Sequence, residues 1–306
     1  MTRLASQRPV QVTLSRRALL ISVPALPAVL AAAPPAHAPK PTQESLAAPD
    51  GRPIPLWVWH PAGVARGAIA FSHGALSAPW YYPDMIGAWV TAGYQVLAPL
   101  HIDSTEHPHH RDYASRDSWK ARIEDMQAVS RRIAGRYIAA GHSYGALTAL
   151  VLGGVSARVP EGINPPLRDP AAVCSVAFSP PPPIPSLIPA AGYGTLAVPA
   201  LIETGTRDTP PGASGAESWR DHLVAYQAAA PGGHRYGLIL DGVDHYFGGL
   251  ICNPAKVGPP QRPQLEAAIA CSQLFMSAWG LQPSASDQAR LDARIGHHGV
   301  ALLETK

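Results

Sequence analysis

The pentapeptide Gly141-His142-Ser143-Tyr144-Gly145 sets a serine hydroxyl between two glycines. At neutral pH such a hydroxyl is a weak nucleophile. It needs a base to take its proton, and the base needs a carboxylate to orient it. Both residue types recur downstream: LIETGTRDTP (201–210) carries Asp208, and DGVDHYFGG (241–249) carries His245. The order serine, acid, histidine is the one expected when the serine sits on a G-x-S-x-G turn. The chemistry implied is acyl transfer, with Ser143 as nucleophile, His245 as base and then acid, and Asp208 as the orienting carboxylate. Asp208 could instead cap the turn at Thr209-Pro210. Asp241 and Asp244 are rival acids, but as neighbours of His245 they are poorly placed to hold the far side of its ring. Asp103 is a weaker rival because it precedes the serine. His142, although adjacent to Ser143, is not the expected base.

Acyl transfer also needs two N–H donors where negative charge develops on the carbonyl oxygen. One is the amide of Tyr144, the residue after the nucleophile. The other is expected from the loop within AFSHGALSAPWYY (70–82), where Ala75 follows the turn at His73-Gly74.

These residues need a scaffold. Apolar runs bounded by Gly or Pro recur at 55–60, 67–72, 94–99, 136–141, 172–178, 198–205 and 236–242 and read as strands. Helical spacing appears at 82–93 and at 115–135, where Trp119, Ile123, Met126, Val129 and Ile133 share a face, and again at 216–233 and 263–280. Alternating strands and helices predict an α/β fold: one domain with a mainly parallel sheet, helices on both faces and no large cap domain. The runs 55–60 and 67–72 are expected to pair as an antiparallel hairpin through 62–66. In this layout Ser143, Asp208 and His245 each fall just beyond the carboxyl end of a strand. The proline-rich loop 179–195 is predicted to wall the substrate pocket. Trp80, Tyr81 and Tyr82 either flank the Ala75 loop or pack the core. His101, His107, His109 and His110 match no defined metal-ligand spacing and read as an exposed loop near the site's rim; neither a metal nor a cofactor is expected.

Of the 306 residues, 46% are apolar and 15% charged, which excludes a disordered chain. The 34 prolines mark segment ends and rigid loops. Net charge is +3, with Arg3, Arg8, Arg16 and Arg17 in the leader, so no nucleic-acid footprint is expected on the folded part. Residues 1–38 read as an export signal: paired arginines, an apolar stretch, then Ala36-His37-Ala38. The Arg16-Arg17 pair resembles a twin-arginine signal, implying the bacterial machinery that exports folded proteins and a periplasmic or secreted location. The run 18–33 holds Pro24 and Pro27 and is shorter than the roughly 20 residues a spanning helix needs, so a stable membrane anchor is not expected. The catalytic domain is then 39–306. In an exported chain Cys252 and Cys271 could close a loop by a disulfide, while Cys174 reads as a buried thiol.

The pieces FSHGALSAPWYY, GYQVLAPLHIDS, GHSYG, LIETGTRDTP and DGVDHYFGG, in this order, resemble the α/β-hydrolases. Within them the chain is most similar to the group of dienelactone hydrolases, chlorophyllases and platelet-activating-factor acetylhydrolases. The resemblance spans about residues 45–280. It implies the α/β-hydrolase sheet, the triad Ser143, His245 and Asp208, and Ala75 and Tyr144 as oxyanion donors. A serine, where dienelactone hydrolases carry cysteine, points to the esterase side. The few charges near these loops favour a neutral, apolar, small or lipid-like ester. Lipase, lactonase or polyester hydrolase activity is an alternative with the same triad, and a catalytically silent binding protein is the non-enzymatic one.

Overall fold

A computed structural model describes residues 39–112, 118–256 and 258–306. The expected export segment, 1–38, lies outside them. Ten strands form one sheet: β1 (Thr42–Ala47), β2 (Pro53–Trp59), β3 (Gly67–Ser72), β4 (Tyr94–Pro99), β5 (Tyr137–His142), β6 (Ala172–Phe178), β7 (Ala200–Gly205), β8 (Arg235–Leu240), β9 (Gly296–His298) and β10 (Ala301–Thr305). Their order across the sheet is β1-β2-β4-β3-β5-β6-β7-β8-β10-β9. From β4 to β8 neighbouring strands are parallel. β1, β2, β9 and β10 pair antiparallel at the two ends.

Strands buried on both faces require cover on both sides. The central β5 and β7 are buried along their whole length. Against one face lie α1 (Pro83–Thr91), α5 (Arg262–Trp279) and α6 (Ala285–Asp292), sharing a core with Ile69, Phe71 and Val176. Against the other lie α2 (Trp119–Ile133), α3 (Tyr144–Leu152) and α4 (Val224–Ala228), whose apolar residues join Ala70, Ala139 and Ile202. Among the described residues no helix is long and apolar enough to cross a membrane.

The expected hairpin of 55–60 with 67–72 does not form. The α1 crossover returns β4 to a parallel place beside β3, so β4 lies between β3 and β2 and takes β2 as its antiparallel partner. The expected helix at 216–233 is a 3-10 turn (Ser218–Leu223) followed by the five-residue α4. β1, whose TQESLA shows little apolar alternation, and the short β9 and β10 cap the sheet beyond the elements read from the sequence. The three cysteines are buried and unpaired, so the 252–271 disulfide is not formed.

Candidate active site

Ser143 joins β5 to α3 with φ 54° and ψ −123°, a strained conformation for a residue with a Cβ. Its flanking glycines are required by space. A Cβ on Gly141 would stand 2.2 Å from the Gly145 carbonyl oxygen, and one on Gly145 would stand 2.0 Å from that of Ser72. The turn is held because the Ser143 N–H donates to Phe178 O at 2.8 Å, while Ala146 N–H starts the helix on Ser143 O. The strain is thus imposed by close packing against β3 and β6, and it aims the hydroxyl away from the sheet.

The loops after β7 and β8 meet beside it. Arg207 N–H donates to Val243 O at 2.9 Å, and at Gly205 only a hydrogen fits against Val243. His245 Nε2 stands 2.9 Å from Ser143 Oγ, and His245 Nδ1 stands 2.8 Å from Asp208 Oδ1. The structure therefore brings Ser143, His245 and Asp208 into one hydrogen-bonded line. Burial opposes charge on Asp208, but the imidazoles of His222 and His245 beside it outweigh this and hold the carboxyl far below its ordinary range.

The rival acids are engaged elsewhere. Asp244 accepts from Tyr246 N–H, Gly248 N–H and Gln261 Nε2, so it shapes the turn that carries His245. Asp241 faces His297 at the surface. Asp103 is locked to Arg122.

Ala75 and Tyr144 line the cavity onto which Ser143 and His245 open. The Ala75 loop is fixed from behind by Arg122, a fully buried guanidinium on α2. It grips Asp103 through Nε (2.8 Å) and Nη2 (2.9 Å) and donates to the carbonyls of His73 (2.8 Å) and Gly74 (3.1 Å). Its guanidinium also lies 4.4 Å from the centre of the Tyr144 ring. One cation thus braces both segments expected to stabilise the oxyanion. His73 accepts His101 N–H on Nε2, so its Nδ1 donates to Gly74 O at 2.8 Å. Burial, with Arg122 nearby, holds both imidazoles neutral, well below their usual range.

This cluster corrects the reading of 101–113 as an exposed loop: His101, Asp103, Ser104 and His107 are buried. His101 Nδ1 meets Asp125 Oδ2 and its Nε2 meets Ser72 Oγ, each at 2.8 Å. Asp125, desolvated by burial, is pushed up to about 6. The signal was present in the sequence, since Arg122 falls three residues after Trp119 and four before Met126, within the apolar stripe of α2.

His142 is the other residue whose role the sequence concealed. Gly74 N–H donates to Tyr82 Oη (2.9 Å), Tyr82 O–H faces His142 Nδ1 (3.1 Å), and His142 Nε2 faces His245 O (3.0 Å). Burial keeps His142 neutral, which suits one acceptor and one donor nitrogen. Tyr82 therefore packs in the core as a strut; Trp80 packs tilted against Trp57, ring centres 4.9 Å apart, and Tyr81 bonds Glu106.

The cavity holds about 700 Å³. As expected, the loop after β6 forms a wall, contributing Pro181, Pro182, Ile184 and Leu187. Leu76, Pro210 and Pro211 add further apolar surface, and Tyr246, Cys252 and Asn253 close the side toward the His245 loop. Among the described residues, the imidazoles of His222 and His245 are the only ionisable nitrogens in the lining, and no carboxylate joins them.

A sheet in the order β1-β2-β4-β3-β5-β6-β7-β8, parallel from β4 to β8, with a serine at a strained turn after β5 and a histidine after β8, defines an α/β-hydrolase fold. Solved structures share it. The esterase 2 of Thermogutta terrifontis superposes with a TM-score of 0.59 at 17% identity, over 82% of this chain and 99% of that one. A puromycin-hydrolysing peptidase of Mycobacterium tuberculosis gives 0.56 at 16% identity; the match covers 80% of this chain but only 40% of the peptidase. The esterase domain of a Rhodothermus marinus protein gives 0.51 at 14% identity, over 79% of this chain and all of that domain. No family model and no curated protein matches the chain by sequence.

Proposed function

We propose that the protein is an exported serine hydrolase that cleaves a neutral, largely apolar carboxylic ester. The observation that carries this reading is the Ser143–His245–Asp208 line of 2.9 and 2.8 Å at the base of an apolar cavity. Ser143 Oγ attacks the ester carbonyl while His245 Nε2 takes its proton, and Asp208 stabilises the resulting imidazolium. The amides of Ala75 and Tyr144 receive the oxyanion. Collapse of the tetrahedral species expels the alkoxide, which collects the proton from His245 and leaves an acyl group on Ser143. Water activated by the same imidazole then releases the acid.

The largely apolar lining supports a neutral ester over a charged one. The motifs shared with the dienelactone hydrolase, chlorophyllase and acetylhydrolase group support the esterase side of that group. The Thermogutta esterase has been solved phosphorylated by paraoxon, and an organophosphate is the matching probe for Ser143. Turnover of a short p-nitrophenyl ester by the protein, lost in Ser143→Ala, is the expected result; equal turnover by both refutes the assignment. Lactone, phospholipid-acyl and polyester substrates are compatible with the same triad, and a panel of these separates them. If a fluorophosphonate fails to label the folded protein, the silent binding protein is favoured instead. Export through the twin-arginine route is read from Arg16 and Arg17; changing both to lysine traps the precursor in the cytoplasm, and undiminished export would exclude that route.

A further inference from the structure

Asp208 is shared by two imidazoles. Besides His245, the buried His222 on the 3-10 turn after β7 brings its Nε2 to 3.1 Å from the same Oδ1. Among the described residues His222 Nε2 has no hydrogen-bond partner, so charge must carry this contact. On the other side of the ring, His222 Nδ1 lies 2.9 Å from Pro180 O. A backbone carbonyl is only an acceptor, so Nδ1 must bear a proton. In a neutral ring Nε2 would then set an unprotonated, electron-rich nitrogen 3.1 Å from a buried carboxylate oxygen, a repulsion that water cannot relieve. Only the doubly protonated ring satisfies both neighbours. No other donor supports the carboxylate: among the described residues Asp208 Oδ2 is buried with no hydrogen-bond partner.

We propose that His222 is a permanently charged positioning residue: an imidazolium clamped between Pro180 O and Asp208 that fixes the carboxylate and shares its negative charge with His245. The inference rests on the triad reading above. Its groundwork is the geometry at both ring nitrogens. The direction of titration agrees: burial opposes the charge, yet the Asp208 contact outweighs it and raises His222 above its ordinary range. The groups facing it are Asp208, the Pro180 carbonyl, the His245 ring with its centre 5.8 Å away, the neutral His142 beyond, and Asp221 on its own turn.

The chemical consequence falls on the step in which His245 takes the serine proton. The positive charge formed on its ring then stands beside the one already on His222, and the two repel across a ring separation of 5.8 Å. Because His222 also lines the cavity, its charge faces the space open to a substrate.

The test has two readouts. In the wild-type protein with 15N-labelled histidine, long-range 1H–15N spectra at pH 7 should show both His222 nitrogens protonated, persisting above the pH where an exposed histidine loses its proton. In His222→Gln, which keeps an amide donor for Asp208 but no charge, the rate of Ser143 labelling by a fluorophosphonate should rise with pH about one unit later than in wild type. A singly protonated His222 at pH 7, or an unmoved acidic limb in folded His222→Gln, overturns the proposal. If His222→Gln does not fold, the wild-type spectrum decides. If the wild-type serine is not labelled at any pH, the hydrolase reading fails instead, and the spectrum still decides the charge on His222.

Discussion

Substituting Arg122 with methionine removes the guanidinium that holds Asp103 and the carbonyls of His73 and Gly74. Asp103 is buried and, despite desolvation, held well below the ordinary carboxylate range by Arg122. Breaking one half of such a pair costs about 3–5 kcal/mol. The two carbonyls left without this donor add about 1 kcal/mol each. The single variant should therefore lose about 5–7 kcal/mol, close to the whole stability of an ordinary domain. Adding Asp103→Leu removes the stranded charge and leaves only the carbonyl cost, so the double variant should recover about 3–5 kcal/mol. Urea denaturation of wild type, both singles and the double closes the cycle. The folded double variant should also hydrolyse a p-nitrophenyl ester with kcat/KM lowered by about 10², the loss typical of a misplaced oxyanion donor. The reasoning is refuted if the double is no more stable than Arg122→Met. It is equally refuted if the folded double keeps full activity, because the guanidinium would then brace nothing the chemistry uses.

Asp208→Asn should cut kcat by about 10⁴ with little change in fold, the effect expected when the base loses its orienting anion. Asp244→Asn should instead lower the denaturation midpoint while kcat falls less than tenfold. Glu203 is buried on β7, where among the described residues neither carboxyl oxygen has a hydrogen-bond partner; desolvation and, less, Asp208 push it well above its usual range. Its folded form keeps the proton after the unfolded form has lost it, so it destabilises the fold as pH rises. Glu203→Gln should gain on wild type by about 1.4 kcal/mol per pH unit above about pH 4.3, until the folded carboxyl itself ionises. Parallel stability–pH curves for the two proteins would contradict this.

Sequence patterning exposed the parts of the site that depend on short-range geometry. The strained turn at Ser143, the ends of β7 and β8 and the proline-rich wall are each written within ten or so residues, and strand ends deliver their loops to one edge of a parallel sheet. Partners distant along the chain were hidden. His73, His101, Asp103 and Arg122 read as loop histidines, a rival acid and one charge in a helix. Only the approach of α2 to the end of β3 makes them a single buried cluster. His222 sat inside a segment with helical spacing, and its role depends on the Pro180 carbonyl, 42 residues away. The misplaced hairpin has a similar origin: local signals identified β2 and β3, but the α1 crossover decided which strand lies between them.

The strut from Gly74 through Tyr82 and His142 to His245 O has a consequence for motion. It ties the loop that would receive the oxyanion to the loop that supplies the base. Either loop can leave its place only by breaking bonds of the other, so the two should open as one cooperative unit. The amides of Gly74 and of the Val243–Tyr246 turn would then exchange with solvent deuterium at a common rate under native conditions. In a site built this way the base and the loop expected to receive the oxyanion would be gained and lost together.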